Sequence, residues 1–119
     1  MADVRITISL IPGSTSLYLT DSNGNKGKAA EFTTTATRGN LVIWQLAADS
    51  GISAIKGVRA KNGYFSLFRN KDPKAEPDGS WCGKIKDDAD GVNSYDILYL
   101  IGDDSYTEDP DIKVDPPKP

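Results

Sequence analysis

Apolar residues recur at every second position through much of this chain, the period of a strand with one face toward a core. Val4, Ile6, Ile8 and Leu10 alternate with Arg5, Thr7 and Ser9 in a first strand, and Pro12-Gly13-Ser14 stops it. Leu17 and Leu19 follow on one face of a second segment, with Ser16, Tyr18 and Thr20 on the other. The polar run at 21–28 then reads as a loop or hairpin tip. Residues 31–36 are rich in Thr, with little apolar content after Phe32, which suits an edge or half-exposed strand. Leu41-Val42-Ile43-Trp44-Gln45-Leu46 is the most apolar stretch, with apolar residues on both faces. It belongs in a sheet interior, with Trp44 as a core anchor.

Ile52, Ile55 and Val58 have the spacing of a helical face, but Gly51 and Gly57 disfavour a helix. An irregular strand with a bulge is the better reading of 47–60. Residues 64–68, Tyr-Phe-Ser-Leu-Phe, are apolar on both faces and either enter the core or form a partner surface. A polar loop occupies 69–80, Trp81, Gly83 and Ile85 resume strand character, and 87–94 make an acidic turn. Tyr95, Ile97, Tyr99 and Ile101 oppose Asp96, Leu98 and Leu100, so this strand is predicted to be central. Gly102-Asp103-Asp104-Ser105-Tyr106 turns the chain back. Asp109-Pro110 interrupts the returning strand before Ile112 and Val114 point at the core. About seven to nine strands without a strong helix or a repeat predict an all-β Greek-key β-sandwich. The expected organisation is one domain over 1–115 and a Pro-rich tail at 116–119.

Charge narrows the partners. The formal net charge is -3, which gives no field to draw nucleic acid or anionic lipid. Lys56, Arg59, Lys61, Arg69, Lys71 and Lys74 are dispersed among Gly and apolar positions and read as a solvated face. No apolar run approaches membrane-spanning length, and Met1-Ala2-Asp3-Val4-Arg5 lacks the features of a signal peptide. Cys82 is the only cysteine, so no intramolecular disulfide forms and a soluble cytoplasmic protein is the expectation. Gly24-Asn25-Lys26-Gly27-Lys28-Ala29 lacks the glycine spacing and the hydroxyl of a phosphate loop. No cofactor is expected.

Arg38-Gly39-Asn40-Leu41-Val42-Ile43-Trp44, followed by Tyr95-Asp96-Ile97-Leu98-Tyr99, resembles the cupredoxin fold. That resemblance implies a cupredoxin-like sandwich, with an immunoglobulin-like one as the alternative. Copper does not come with it, because the chain has no His, and residues 102–109 offer no soft ligand. Gly39-Asn40-Leu41-Val42-Ile43-Trp44 and Asp109-Pro110-Asp111-Ile112-Lys113-Val114 also resemble two short motifs of the PixA/AidA family of bacterial inclusion-body proteins. The family's aromatic before the Asp-Pro pair is Glu108 here. This resemblance implies a cytoplasmic β-sandwich, with self-assembly in some members.

The missing His removes the commonest proton carrier near neutral pH, and Glu31, Glu76 and Glu108 are the only Glu residues. Cys82, with no His to activate it, reads as an inert thiol. A non-enzymatic interaction or self-associating module is therefore the first expectation. Its surfaces would be Tyr64, Phe65, Phe68 and Trp81, or the Thr-rich edge at 33–37. A small-ligand domain is the second, with calcium on Asp103, Asp104 and Asp109, or carbohydrate on Trp81, Tyr64 or Tyr106. Asp87, Asp88 and Asp90 form another acidic loop that does not fit an EF-hand. A hydrolase acting without His is the third.

Overall fold

Val4, Ile6 and Ile8 leave water almost completely while Arg5 stays exposed, so the alternation read from the first strand is realised. A computed structural model describes residues 3–60, 73–86 and 91–114. Its strands are β1 (Val4–Leu10), β2 (Leu17–Asp21), β3 (Lys26–Lys28), β4 (Thr33–Ala36), β5 (Leu41–Leu46), β6 (Ala54–Ala60), β7 (Lys74–Ala75), β8 (Trp81–Lys84), β9 (Val92–Ile101), β10 (Asp104–Glu108) and β11 (Asp111–Val114). The only helical element among the described residues is a single 3₁₀ turn at Ala29–Glu31. No helix among them is long and apolar enough to cross a membrane.

Two mixed sheets pack into an all-β sandwich. The first is six-stranded, in the order β3-β2-β1-β5-β8-β7, with β1 parallel to β5. The second is built on β9, which has β6 on one side and β10 followed by β11 on the other. β4 completes it, parallel to β11. Asp104 faces Ile101 and Glu108 faces Ile97, and Asp111 then faces Ser94, so β10 and β11 run along β9 in one unbroken register. Asp109-Pro110 interrupts that strand without shifting it. Proline has no N–H, yet its carbonyl still accepts a 3.1 Å hydrogen bond from the Tyr95 N–H.

β6 accounts for the helix-like spacing of its apolar residues. Ile55 faces Tyr99 and Gly57 faces Leu98, which leaves Lys56 as the extra residue of a bulge. The extra residue restores the inward direction three positions later, so Ile55 and Val58 are both buried. The described residues form eleven strands where seven to nine were expected of the chain, because β3 and β7 carry no apolar alternation and the returning strand divides at Asp109-Pro110. Residues 64–68, 87–90 and 116–119 lie outside the described residues.

At the centre, Trp44 of the first sheet meets Tyr95 of the second, both with no exposed surface. Their rings lie edge to face, 5.6 Å between centroids and 65° between planes, and the indole Nε1–H donates to Tyr95 Oη over 3.0 Å. Burial pushes the Tyr95 hydroxyl far above its ordinary ionisation range. Every buried side-chain N or O atom among the described residues has a hydrogen-bond partner. Tyr95→Phe is expected to remove the acceptor of the indole N–H and cost about 1–3 kcal/mol, measured by urea unfolding. In the W44F/Y95F double variant the loss should fall short of the sum of the two single losses.

Candidate binding face and open edges

Strand alternation sends Arg5, Thr7 and Ser9 of β1, Tyr18 of β2, Ile43 and Gln45 of β5, and Cys82 of β8 to the outer face of the six-stranded sheet. The register lines up Arg5, Ile43, Cys82 and Lys74 across β1, β5, β8 and β7. Arg5 Nη1 donates to Gln45 Oε1 over 3.3 Å, and Gln45 Nε2 donates to Thr7 Oγ1 over 3.2 Å. A turn at 76–80 rises beside this row, closed by the Glu76 N–H on the Ser80 carbonyl at 2.7 Å. The Ser80 hydroxyl and N–H both donate to Asp78 Oδ1, at 2.6 and 2.9 Å, and hold that carboxyl below its usual range. The result is a shallow groove of about 440 Å³, floored by Leu41, Ile43 and Cys82 and bordered by Arg5 and Asp78. Partial burial, then the nearby charges of Glu76 and Asp3, push the Cys82 thiol up. Its thiolate is disfavoured at neutral pH.

A second groove, of about 590 Å³, lies on the same face where β1 ends. Ser9 faces Tyr18 and Tyr18 faces Lys28, giving one row across β1, β2 and β3. Leu10, Ile11 and Pro12 form its wall, and Asp49 reaches it from the turn between β5 and β6. Asp49 has a φ of 58°, the left-handed region that favours glycine, and the Ser50 N–H closes its turn on the Ala47 carbonyl at 3.1 Å. At Gly51, φ is 82° and a Cβ would lie 3.0 Å from Leu10 Cδ1, so only glycine fits without displacing the groove wall.

The sheet edges differ in how they are guarded. β3 carries Lys26 and Lys28, β7 is two residues long, and β6 has its bulge with Lys56 and Arg59 exposed. β4, Thr-Thr-Thr-Ala, is uncharged and has no bulge. Its buried Thr34 donates its hydroxyl to Asp21 Oδ2, and Asn23 Nδ2 donates to the Thr35 carbonyl over 3.1 Å.

Among the residues singled out from the sequence, Trp81 packs on the core and donates its Nε1–H to the Ile55 carbonyl over 3.2 Å. Tyr106 stacks on Tyr99 at 5.7 Å, with 27° between the rings. Tyr64, Phe65 and Phe68 lie outside the described residues. Asp103 and Asp104 are exposed at the turn between β9 and β10, whereas Asp109 follows the far end of β10. Strand geometry separates Asp104 and Asp109 by about 16 Å. No group of three or more His, Cys, Asp or Glu among the described residues could hold a metal ion. Among the described residues, Tyr18 is an aromatic on the outer face of the six-stranded sheet, signalled by its position between Leu17 and Leu19. Nothing in the local pattern points to Asp49 as its neighbour. No protein-family model matches this chain, and no curated protein matches it.

The Tyr99 hydroxyl donates to the Thr15 carbonyl over 2.5 Å, and burial, then the charge of Glu108, push it up to about 12 from an ordinary 10.0. The fold therefore keeps this proton after the unfolded chain has released its own. Stability is expected to be full below pH 10 and to fall as pH rises through about 12. Melting temperature against pH checks this, and Tyr99→Phe should flatten, without abolishing, the alkaline decline.

Proposed function

We propose that this protein is a non-enzymatic interaction module that associates with a second copy of itself through β4. The observation that carries this reading is the contrast between β4 and the guarded edges. An unpaired strand edge presents a row of N–H and C=O groups that another strand can complete, and charge, brevity or a bulge suppresses such pairing. β4, four residues long, carries neither charge nor a bulge and is longer than the edge strands β3 and β7. The Asp111 N–H donates to the Phe32 carbonyl at 2.9 Å, so in this ladder alternate residues 32 and 34 turn their backbone groups toward β11. Thr33 and Thr35 turn theirs outward, and the Asn23 amide on the Thr35 carbonyl fits that direction. Threonine is favoured in strands, and three in succession make this edge a receptive one.

The sequence supports the same reading. The chain has no His, and its resemblance at 39–44 and 109–114 to the PixA/AidA inclusion-body family favours self-assembly and a cytoplasmic setting. Strand addition here would form only a few backbone hydrogen bonds, each worth about 0.5–1.5 kcal/mol net. Association costs about 4–15 kcal/mol in lost freedom, so contact through this edge is weak and depends on concentration.

Light scattering behind a sizing column, over a wide range of protein concentration, tests the proposal. The mass is expected to rise with concentration, and Thr33→Lys, a change at an exposed position, should return it to that of one chain. The variant's stability should stay within about 0.5 kcal/mol of the parent. A single-chain mass throughout, or association untouched by Thr33→Lys, defeats the assignment of β4.

A further inference from the structure

The groove at the end of β1 has a mixed chemistry that the edge does not use. Tyr18 and the side chains of Leu10 and Pro12 give it apolar surface, among which stand the Ser9 hydroxyl, the Lys28 ammonium and the Asp49 carboxylate. Among the described residues, no hydrogen bond or ion pair engages the side chains of Tyr18, Lys28 or Asp49. Its volume, about 590 Å³, lies in the range of small-ligand sites. Asp49 also occupies a left-handed turn position, with φ 58°, where glycine is the more stable choice.

These features narrow the ligand. Lys28 and Asp49 cancel in charge, so an anion would meet the carboxylate and a cation the ammonium. Both are exposed, where ion pairs with a ligand contribute little, so a zwitterion gains little from them. Binding strength has to come from contact with the ring and the aliphatic wall, oriented by hydrogen bonds of both senses. A pyranose ring meets these demands together, having a C–H face for the aromatic ring and hydroxyls that donate and accept. We infer that this groove binds a neutral glycan, one sugar unit lying on Tyr18 with its hydroxyls shared between Lys28 and Asp49. The site is separate from β4, and each can fail without the other.

The experiment is a titration of the isotope-labelled full chain with cellohexaose, xylohexaose and chitohexaose, followed by amide NMR shifts. At least one is expected to move the amides of Ser9, Leu10, Tyr18, Lys28 and Asp49 in a saturable way. Tyr18→Ala should weaken that binding about tenfold or more, the scale of one lost aromatic contact. Asp49→Gly keeps the turn, so it should match or exceed the parent's melting temperature while binding more weakly. The inference is overturned if no probe shifts these amides, if shifts centre on Trp81 or Tyr106 instead, or if Asp49→Gly binds as the parent does. Saturation by free leucine but by no oligosaccharide would equally overturn it in favour of a zwitterion site.

Discussion

A buried indole N–H must find an acceptor, and the Trp44 N–H finds one on the opposite sheet, in the Tyr95 hydroxyl. Apolar contact between two sheets is non-directional and tolerates sliding; a hydrogen bond of 3.0 Å between Trp44 and Tyr95 does not. Any displacement that breaks it leaves a donor and a hydroxyl in a medium where neither can be solvated. Ile6, Ile8, Leu19, Ile97 and Ile112, all fully buried, supply the area that drives packing. The Trp44–Tyr95 pair decides which of the possible packings is kept. Further cross-sheet bonds follow from that setting: Trp81 to Ile55 at one seam, Thr34 to Asp21 at the other, and Leu17 to Glu108 near the turn.

Because the inner faces are committed to this core, function is left to the outer faces and the edges. On the six-stranded sheet the polar side chains are not uniformly free. Arg5, Gln45 and Thr7 bond one another and form a braced row, while Tyr18, Lys28 and Asp49, toward the C-terminal end of β1, do not. The same division appears among the aromatics. Trp44, Tyr95, Tyr99 and Trp81 have their polar atoms spent on the fold, which disqualifies them as ligand platforms more firmly than burial alone would. An aromatic ring on the wet side of a strand with no such engagement is the exception that calls for a role.

Alternation made β1, β2, β5 and β9 legible, because each has a buried face whose residues must be apolar. The bulge in β6 was legible too, through Gly57 and a spacing that only an inserted residue reconciles with a strand. β3 and β7 were not, since Lys-Gly-Lys and Lys-Ala carry no burial signal and are strands only because β2 and β8 offer them a ladder. The groove was half legible. Tyr18 could be placed on the wet face from Leu17 and Leu19, but Asp49 joins it through a turn thirty-one positions away, and local patterns hold no record of such a meeting. The aspartates at 103, 104 and 109 show the converse. They are close in sequence, and an extended strand drives them apart.

The order of assembly bears on the open edge. β4 has a single strand partner among the described residues, β11, with Thr33 facing Asp111 across most of the chain's length. Contacts of such separation carry a large loop-closure entropy and form late. β11 itself is held in register by β9 through the turn that follows Ile101, so β9, β10 and β11 can associate as a local hairpin before β4 docks. Until then the Thr-rich segment has no ladder, and among the described residues Asp21 and Asn23 anchor it to the first sheet. The edge available to a second copy is therefore a product of the completed fold, and destabilising the β9–β11 hairpin would remove it before unfolding the six-stranded sheet. That coupling makes association through β4 sensitive to substitutions at Ile112 and Val114, buried residues that face Thr34 and Ala36 across the β11–β4 ladder.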